Sequence, residues 1–463
     1  MMKRIVFVLA AALLGAGLVM VALKAEAQQP GQAASEARPD PTSAAAARRA
    51  DIAFFRENFM ARDRAYAETA RAEAETRLAA LDARAGDVSQ AYFELELARI
   101  VALADNGHTA YFPGPRSRRF NRILDVRFAP FGEDFYVLRA SLANTDLLGA
   151  RLVAIDGRPI AQIRATARTL AGGTAGWRDR NVAYFLESPE QMHALGAVAS
   201  AERASYRFRL AEGRTVTRRF TPEPANPDRV RANADRWYYP APAEGEGDAW
   251  RALLSVDQAP WAFRDPDQVF RMRDAPEIDA FVIELRQNNS SDDVDIAEFM
   301  LDSLEAARTS GRRNIVLDMR MNGGGNLNTT RAWVRRLPRV APGRVFVLTS
   351  PFTFSAAIST IGYLKQAAPD RVTIVGEMIG DRLDFHAEGD VVTLPYAGGA
   401  ILYATERHDY VTGCRNIENC HGSVVRNPIA VQSLAPDIAA PWTIEAYRAG
   451  RDPAMEAIAA VLR

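Results

Sequence analysis

A serine and a run of three glycines carry the chemistry this sequence can do. Ser355 stands in Thr353-Phe-Ser355-Ala-Ala357, at the head of a stretch with helical character. Gly323-Gly-Gly325 closes the segment Asn314-Ile-Val-Leu-Asp318-Met-Arg320-Met-Asn322. Three successive glycines turn backbone N–H groups toward a ligand with no Cβ in the way. A serine that opens a helix sets its hydroxyl, and the N–H of Ala356, at the positive helix end. A hydroxyl nucleophile facing free amides is the minimum equipment for acyl transfer, with Ala356 and Gly323 or Gly324 as oxyanion donors. Each half alone has a plain structural meaning, a tight turn and a helix cap. Together and in this order they point to chemistry.

Two tandem strand-turn-helix units must position these groups. Ile315 to Leu317 and Val345 to Leu348 are short apolar runs bounded by turn residues, the pattern of buried strands. The spacing predicts a helix from Asn326 to Leu337, with Asn326 or Asn328 as cap and Pro338 as stop, and another from Ser355 to Lys365. Parallel strands would bring the glycines and Ser355 together at the carboxyl edge of one sheet.

Asp318-x-Arg320-x-Asn322-Gly-Gly-Gly325 followed by Thr353-Phe-Ser355-Ala-Ala357 resembles the core of the S41 serine peptidases, the carboxyl-terminal processing and tricorn-type proteases. Val375-Gly-Glu377-x-x-Gly380, Leu394-Pro395 and Ala435-Pro-Asp-Ile438 also look like that family. The resemblance implies an α/β fold: a ClpP/crotonase-like ββα core with an N-terminal helical domain and a PDZ-like β-rich module. It implies Ser355 as nucleophile and His108, in Gly107-His-Thr109, as general base. Read from its surroundings alone, a loop histidine such as His108 is simply solvated. Processing proteases of the family use a lysine about two dozen residues past the serine, but Asp381 stands there. The only lysines are Lys3, Lys24 and Lys365. Lys365 is ten residues along the same helix, roughly 15 Å away at 1.5 Å per residue. The residue orienting His108 is left open between Glu377 and Asp105.

Met1 to Arg4 is basic, Ile5 to Leu23 apolar, and Ala25-Glu26-Ala27 has the small-residue pattern of a cleavage site, so residues 1–27 read as a signal peptide. An uncleaved membrane anchor is the alternative. Residues 28–47, rich in Pro, Ala, Ser and Gln, read as a disordered tether. Residues 48–112 form the helical domain, 125–200 the PDZ-like module, 201–247 a hairpin and linker, and 248–463 the peptidase core. With 57 basic and 57 acidic residues nothing favours nucleic acid as a partner; the expected partner is a polypeptide substrate. Cys414 and Cys420, the only cysteines, are expected to pair as a disulfide in an exported chain. A metal site of both cysteines with His421 and His408 is the sharper alternative, but the spacing matches no zinc signature. No cofactor motif and no metal site is expected. A binding or scaffold protein on the same fold is the competing function.

Overall fold

The computed structural model describes residues 42–463 apart from 114–119, 121, 124, 225–237, 242–245 and 416. The signal peptide and most of the tether read from the sequence lie outside the described residues. Among those described, no helix is long and apolar enough to cross a membrane.

The centre is a six-stranded sheet. From one edge it runs Phe270–Ala275, Ala280–Leu285, Asn314–Asp318, Val345–Thr349, Val372–Gly376 and Ile438–Ala439. The first strand is antiparallel to the second and the rest are parallel. The inner strands Ala280–Leu285, Asn314–Asp318 and Val345–Thr349 are buried along their whole length, which is why they read as continuous apolar runs rather than alternating ones. Ile315 pairs with Val345 and Val345 with Val372, so the glycine loop and the loop holding Ser355 leave adjacent strands at the same sheet edge.

The motif Asp318-x-Arg320 serves this framework. Arg320 donates Nε to Asp318 Oδ1 at 3.0 Å and Nη2 to Asp318 Oδ2 at 2.6 Å, and its Nη1 and Nη2 reach Asp452 at 2.9 and 2.8 Å. Burial alone would raise the Asp318 pKa; the guanidinium beside it outweighs that and holds the carboxyl below its ordinary value. Asp452 in turn caps the C-terminal helix Pro453–Leu462. Removing one partner of such a buried pair costs about 3–5 kcal/mol.

The helix expected from Asn326 to Leu337 is instead two four-residue helices, Arg331–Val334 and Leu337–Val340. Asn326 spends its side chain on a local turn, accepting from Asn328 N at 2.9 Å. Pro338 does not stop a helix; it sits in the first turn of the second one, where its missing N–H costs nothing.

Two further layers, each with a hydrophobic core of its own, complete the fold. The N-terminal helices are Ala44–Phe54, Glu68–Ala83 and Gln90–Ala102. The first begins at Ala44 with Ser43 as its cap, so the tether expected to reach residue 47 ends earlier. These helices share a core with Val392, Leu394 and Ile401 of the hairpin Val391–Thr393 and Ala400–Leu402. Ala110–Phe112 adds to that hairpin, with Ala110 opposite Leu402. The segment just beyond His108 is thereby stitched to the second half of the chain.

The other layer is an antiparallel sheet of Val126–Phe131, Asp134–Ser141, Arg151–Ile155, Ala204–Arg209 and Thr215–Phe220. Asp156 and Gly157 have φ of 48° and 78°, the two positive values a tight hairpin needs. The hairpin assigned from sequence to the 201–247 linker belongs to this module, since Ala204–Arg209 pairs directly with Arg151–Ile155. Pairing across fifty residues has no local sequence mark.

Candidate active site

Ser355 begins the helix Ala356–Ala367 but does not cap it. Its backbone sits at φ 55°, ψ −127°, and its side chain makes no capping hydrogen bond. An N-cap residue ordinarily has extended φ/ψ and bonds the amide two or three residues on. A non-glycine residue in this region costs on the order of 1–3 kcal/mol and persists only where its surroundings enforce it.

Those surroundings are specific. Gly324, at φ 107°, lies so close that a Cβ there would stand 2.6 Å from Ser355 Cβ and 3.1 Å from Ala356 N. Two fully buried asparagines hold the approach. Asn288 donates Nδ2 to Ala356 O and to Thr360 Oγ1, both at 2.9 Å, and accepts from Asn322 Nδ2 at 3.0 Å. Phe354 N donates to Asn322 O at 3.0 Å, and Thr353 Oγ1 to Met319 O at 2.9 Å.

The expected oxyanion donors separate here. Gly324 N–H is engaged by Asn322 Oδ1 at 2.9 Å, and Gly323 N–H by Arg286 O at 3.3 Å. Neither glycine amide is turned toward Ser355; their contribution is the close approach that only glycine allows. Ala356 N–H stands in the first turn of the helix Ala356–Ala367.

His108 lies against this turn. Its ring stacks on Phe354 at 4.3 Å and on Phe385 at 5.0 Å between centroids. Nδ1 is 3.3 Å from Oδ2 of Asp381, whose side chain is fully buried. That is ion-pair range, yet the angles make no hydrogen bond, and neither ring nitrogen has a hydrogen-bond partner. The Ser355 hydroxyl is therefore not bonded to the ring in this structure. Catalytic hydrogen bonds are often long or misaligned before substrate binds.

The loop carrying His108 is tightly packed. Asn106 donates Nδ2 to Thr109 Oγ1 at 3.0 Å and to His386 O at 2.9 Å, while Thr109 Oγ1 donates to Asp63 Oδ2 at 2.8 Å. A Cβ on Gly107 would stand 2.7 Å from Phe354 Cε2 and 2.9 Å from Asp381 Oδ2. No larger side chain has room at residue 107.

Neither orienting candidate from the sequence contacts His108. Asp105 is half exposed and divided between Arg178 and Arg382, the latter donating to its Oδ2 at 2.7 Å. Glu377 is tied to the backbone of Trp442, and burial pushes its carboxyl above the ordinary value. Glu377 instead lines a cleft between the β module and the core, walled by Phe131, Arg180, Tyr238, Phe352 and Trp442. Ser355 itself does not line the cleft, but Ser350, Pro351 and Phe352, just before it, do. Lys365 is spoken for by Val372 O at 2.9 Å. Cys414 and Cys420 form the expected disulfide, which removes both thiolates as metal ligands.

No protein-family model and no curated protein matches the chain in sequence. Solved structures do match in shape. Mature CPAF in complex with lactacystin superposes with a TM-score of 0.57 at 15% identity, over 90% of this chain and 98% of that one. Mature CPAF alone gives 0.55 at 14% identity, over 90% and 97%. The photosystem II D1 C-terminal processing protease covers 91% of this chain and 97% of its own at 15% identity, but its TM-score of 0.35 is too low to build on. These neighbours are S41 peptidases, and the chain has the fold that the sequence motifs led one to expect. At such identity the likeness speaks for the fold; the chemistry has to be argued from the site.

Proposed function

We propose that this chain is an exported serine peptidase, with Ser355 as nucleophile, His108 as general base, Asp381 as the residue that orients the base, and Ala356 N–H as an oxyanion donor. The observation that carries the reading is Ser355 itself: a strained serine at a helix start, its side chain withheld from capping, with Gly324 pressed against it. A serine serving only as a cap would adopt the relaxed extended conformation.

With Nδ1 toward Asp381, Nε2 is the nitrogen left with a lone pair. It takes the proton as Ser355 Oγ attacks the peptide carbonyl and returns it to the leaving amine, giving an acyl-enzyme. Water, deprotonated by the same nitrogen, then releases the acid. Ala356 N–H, at the positive end of a helix, meets the negative charge that develops on the carbonyl oxygen. Polypeptide is the substrate class, and the cleft beside Phe352, with Arg180, Asp179 and Glu377 on its walls, is the proposed path for the chain. The rival reading, a binding protein on the same fold, draws on the missing hydrogen bond between His108 and Ser355. Hydrolysis of an unfolded protein such as casein by the wild type and by Ser355→Ala decides between them. The proposal expects cleavage by the first and none by the folded second; equal turnover in both would refute it.

A further inference from the structure

The ring column that holds His108 does not end at Phe385. The His408 ring lies 5.0 Å from Phe385, and the His421 ring 4.9 Å from His408 between centroids, their planes within 12° of parallel. At this end three side chains converge: one potential ligand atom from each of Glu388, His408 and His421 lies within 4.8 Å of the others. We propose that Glu388, His408 and His421 form a binding site for one divalent transition-metal ion, Zn²⁺ by preference. The metal alternative weighed from the sequence shared His408 and His421 but joined them to Cys414 and Cys420, which are paired in the disulfide, where Glu388 stands instead.

Three features distinguish this cluster from an ordinary ion-pair network. The first is tautomer control. His408 Nδ1 lies 3.0 Å from Tyr410 OH, and His421 Nδ1 2.7 Å from Glu406 Oε2. A metal-binding imidazole characteristically engages its other nitrogen with a carboxylate or similar group, fixing the ring and raising its basicity. Here both rings are so engaged through Nδ1, leaving Nε2 as ligand.

The second is His408 itself. Its side chain is 3% exposed, and Nε2 meets only Glu388 Oε1, at ion-pair distance and without hydrogen-bond angles. A buried ring nitrogen so poorly met costs stability unless something else satisfies it.

The third is spacing. His408 Nε2 is 3.4 Å from Glu388 Oε1. A charge-assisted hydrogen bond would be about 2.7–2.9 Å. Donors bound 2.0–2.2 Å from a tetrahedral ion stand about 3.3–3.6 Å apart, which is the distance found. Two imidazoles and one carboxylate leave a fourth position for water, a set suited to Zn²⁺.

The framework is rigid where it needs to be. Phe385 pairs with His408 and Ala387 with Glu406 across two antiparallel strands, which places Glu388 one residue beyond the pairing. The disulfide bridges Cys420, the neighbour of His421, to Cys414, and His421 N donates to Arg407 O at 2.9 Å. Glu388 is exposed and His421 partly so, so an ion can enter from solvent and Glu388 can swing to close the set.

The test is titration of the oxidised, full-length mature protein with Zn²⁺ against a chromophoric chelator, with Co²⁺ absorption reporting coordination. Wild type should take up one ion per chain, with a Co²⁺ spectrum of four-coordinate nitrogen and oxygen ligation. Glu388→Gln and His421→Ala should each weaken binding at least tenfold, and Glu406→Gln by about 10- to 100-fold, as second-layer partners do. His193→Ala should bind as the wild type does. Circular dichroism checks the fold of His421→Ala; Glu388, on the surface, tests the proposal if that variant fails to fold. Absence of saturable one-to-one binding, or wild-type affinity in Glu388→Gln, overturns the site. Neither readout depends on peptidase activity.

Discussion

Gly324→Ala puts the geometry around Ser355 to quantitative test. The added Cβ would stand 2.6 Å from Ser355 Cβ and 3.0 Å from Phe354 O. Ordinary Cβ contacts begin near 3.4 Å, so 3.4 − 2.6 leaves 0.8 Å to be found by moving the turn that carries Ser355. The obstacle is backbone and a Cβ, not the end of a flexible chain, so the shift falls on the nucleophile. A misplacement of that order costs about 100-fold in rate, or about 2.7 kcal/mol of transition-state stabilisation. The φ of 107° adds strain of roughly 1–3 kcal/mol to the folded state. Gly398→Ala is the control: φ is 71°, yet a Cβ there meets nothing within 4 Å. Measured as kcat/KM on a peptide substrate, Gly324→Ala should fall about 100-fold, while Gly398→Ala should lose only stability. A folded Gly324→Ala enzyme with full activity, or an equal loss in the control, would refute the reasoning.

Other expectations follow from the same geometry. Asp381→Asn should lower kcat by roughly 10²–10⁴ with little change in KM, because a neutral amide no longer fixes the His108 tautomer; Glu377→Gln and Lys365→Ala should stay far closer to wild type in the same assay. Removing the disulfide with Cys414→Ser and Cys420→Ser together should destabilise by about 2 kcal/mol for so short a loop, read from denaturant unfolding; an unchanged midpoint contradicts this. Burial holds His408 and His386 below the ordinary imidazole value. With folded values lowered, their contribution to stability is present above the unfolded value of about 6.5 and is lost as the pH falls through it toward the folded values. Tm should therefore drop between about pH 7 and pH 5, and a Tm that rises over that window would show the sign to be wrong.

Residues differ in how much of this they announced. The inner strands were readable because burial on both faces makes them continuous apolar runs, and the glycines and Ser355 because their types and order are unusual together. His108 was reachable only through a family resemblance: nothing local in Gly107-His-Thr109 says that Phe354, Phe385 and Asp381 will close around it. Asp381 was noticed merely as the place where a lysine was missing. Its meeting with His108 is a tertiary contact between distant loops, with no periodicity to betray it. Asn288 lay in a polar run typical of any surface loop, although it is fully buried. The helix misplaced after Asn326 failed for a different reason, since asparagine side chains cap helices and form local turns equally well. Here the turn won, with buried Thr330 bonded to Thr360 beneath it.

Reaction with a tagged fluorophosphonate tests the central claim most directly, since only an activated serine is phosphonylated. The wild-type protein should take up one label per chain, found by tandem mass spectrometry on Ser355. Labelling should vanish in Ser355→Ala and slow by a factor on the order of a thousand in His108→Ala. A label on another residue, or undiminished labelling of Ser355 in His108→Ala, would contradict the account.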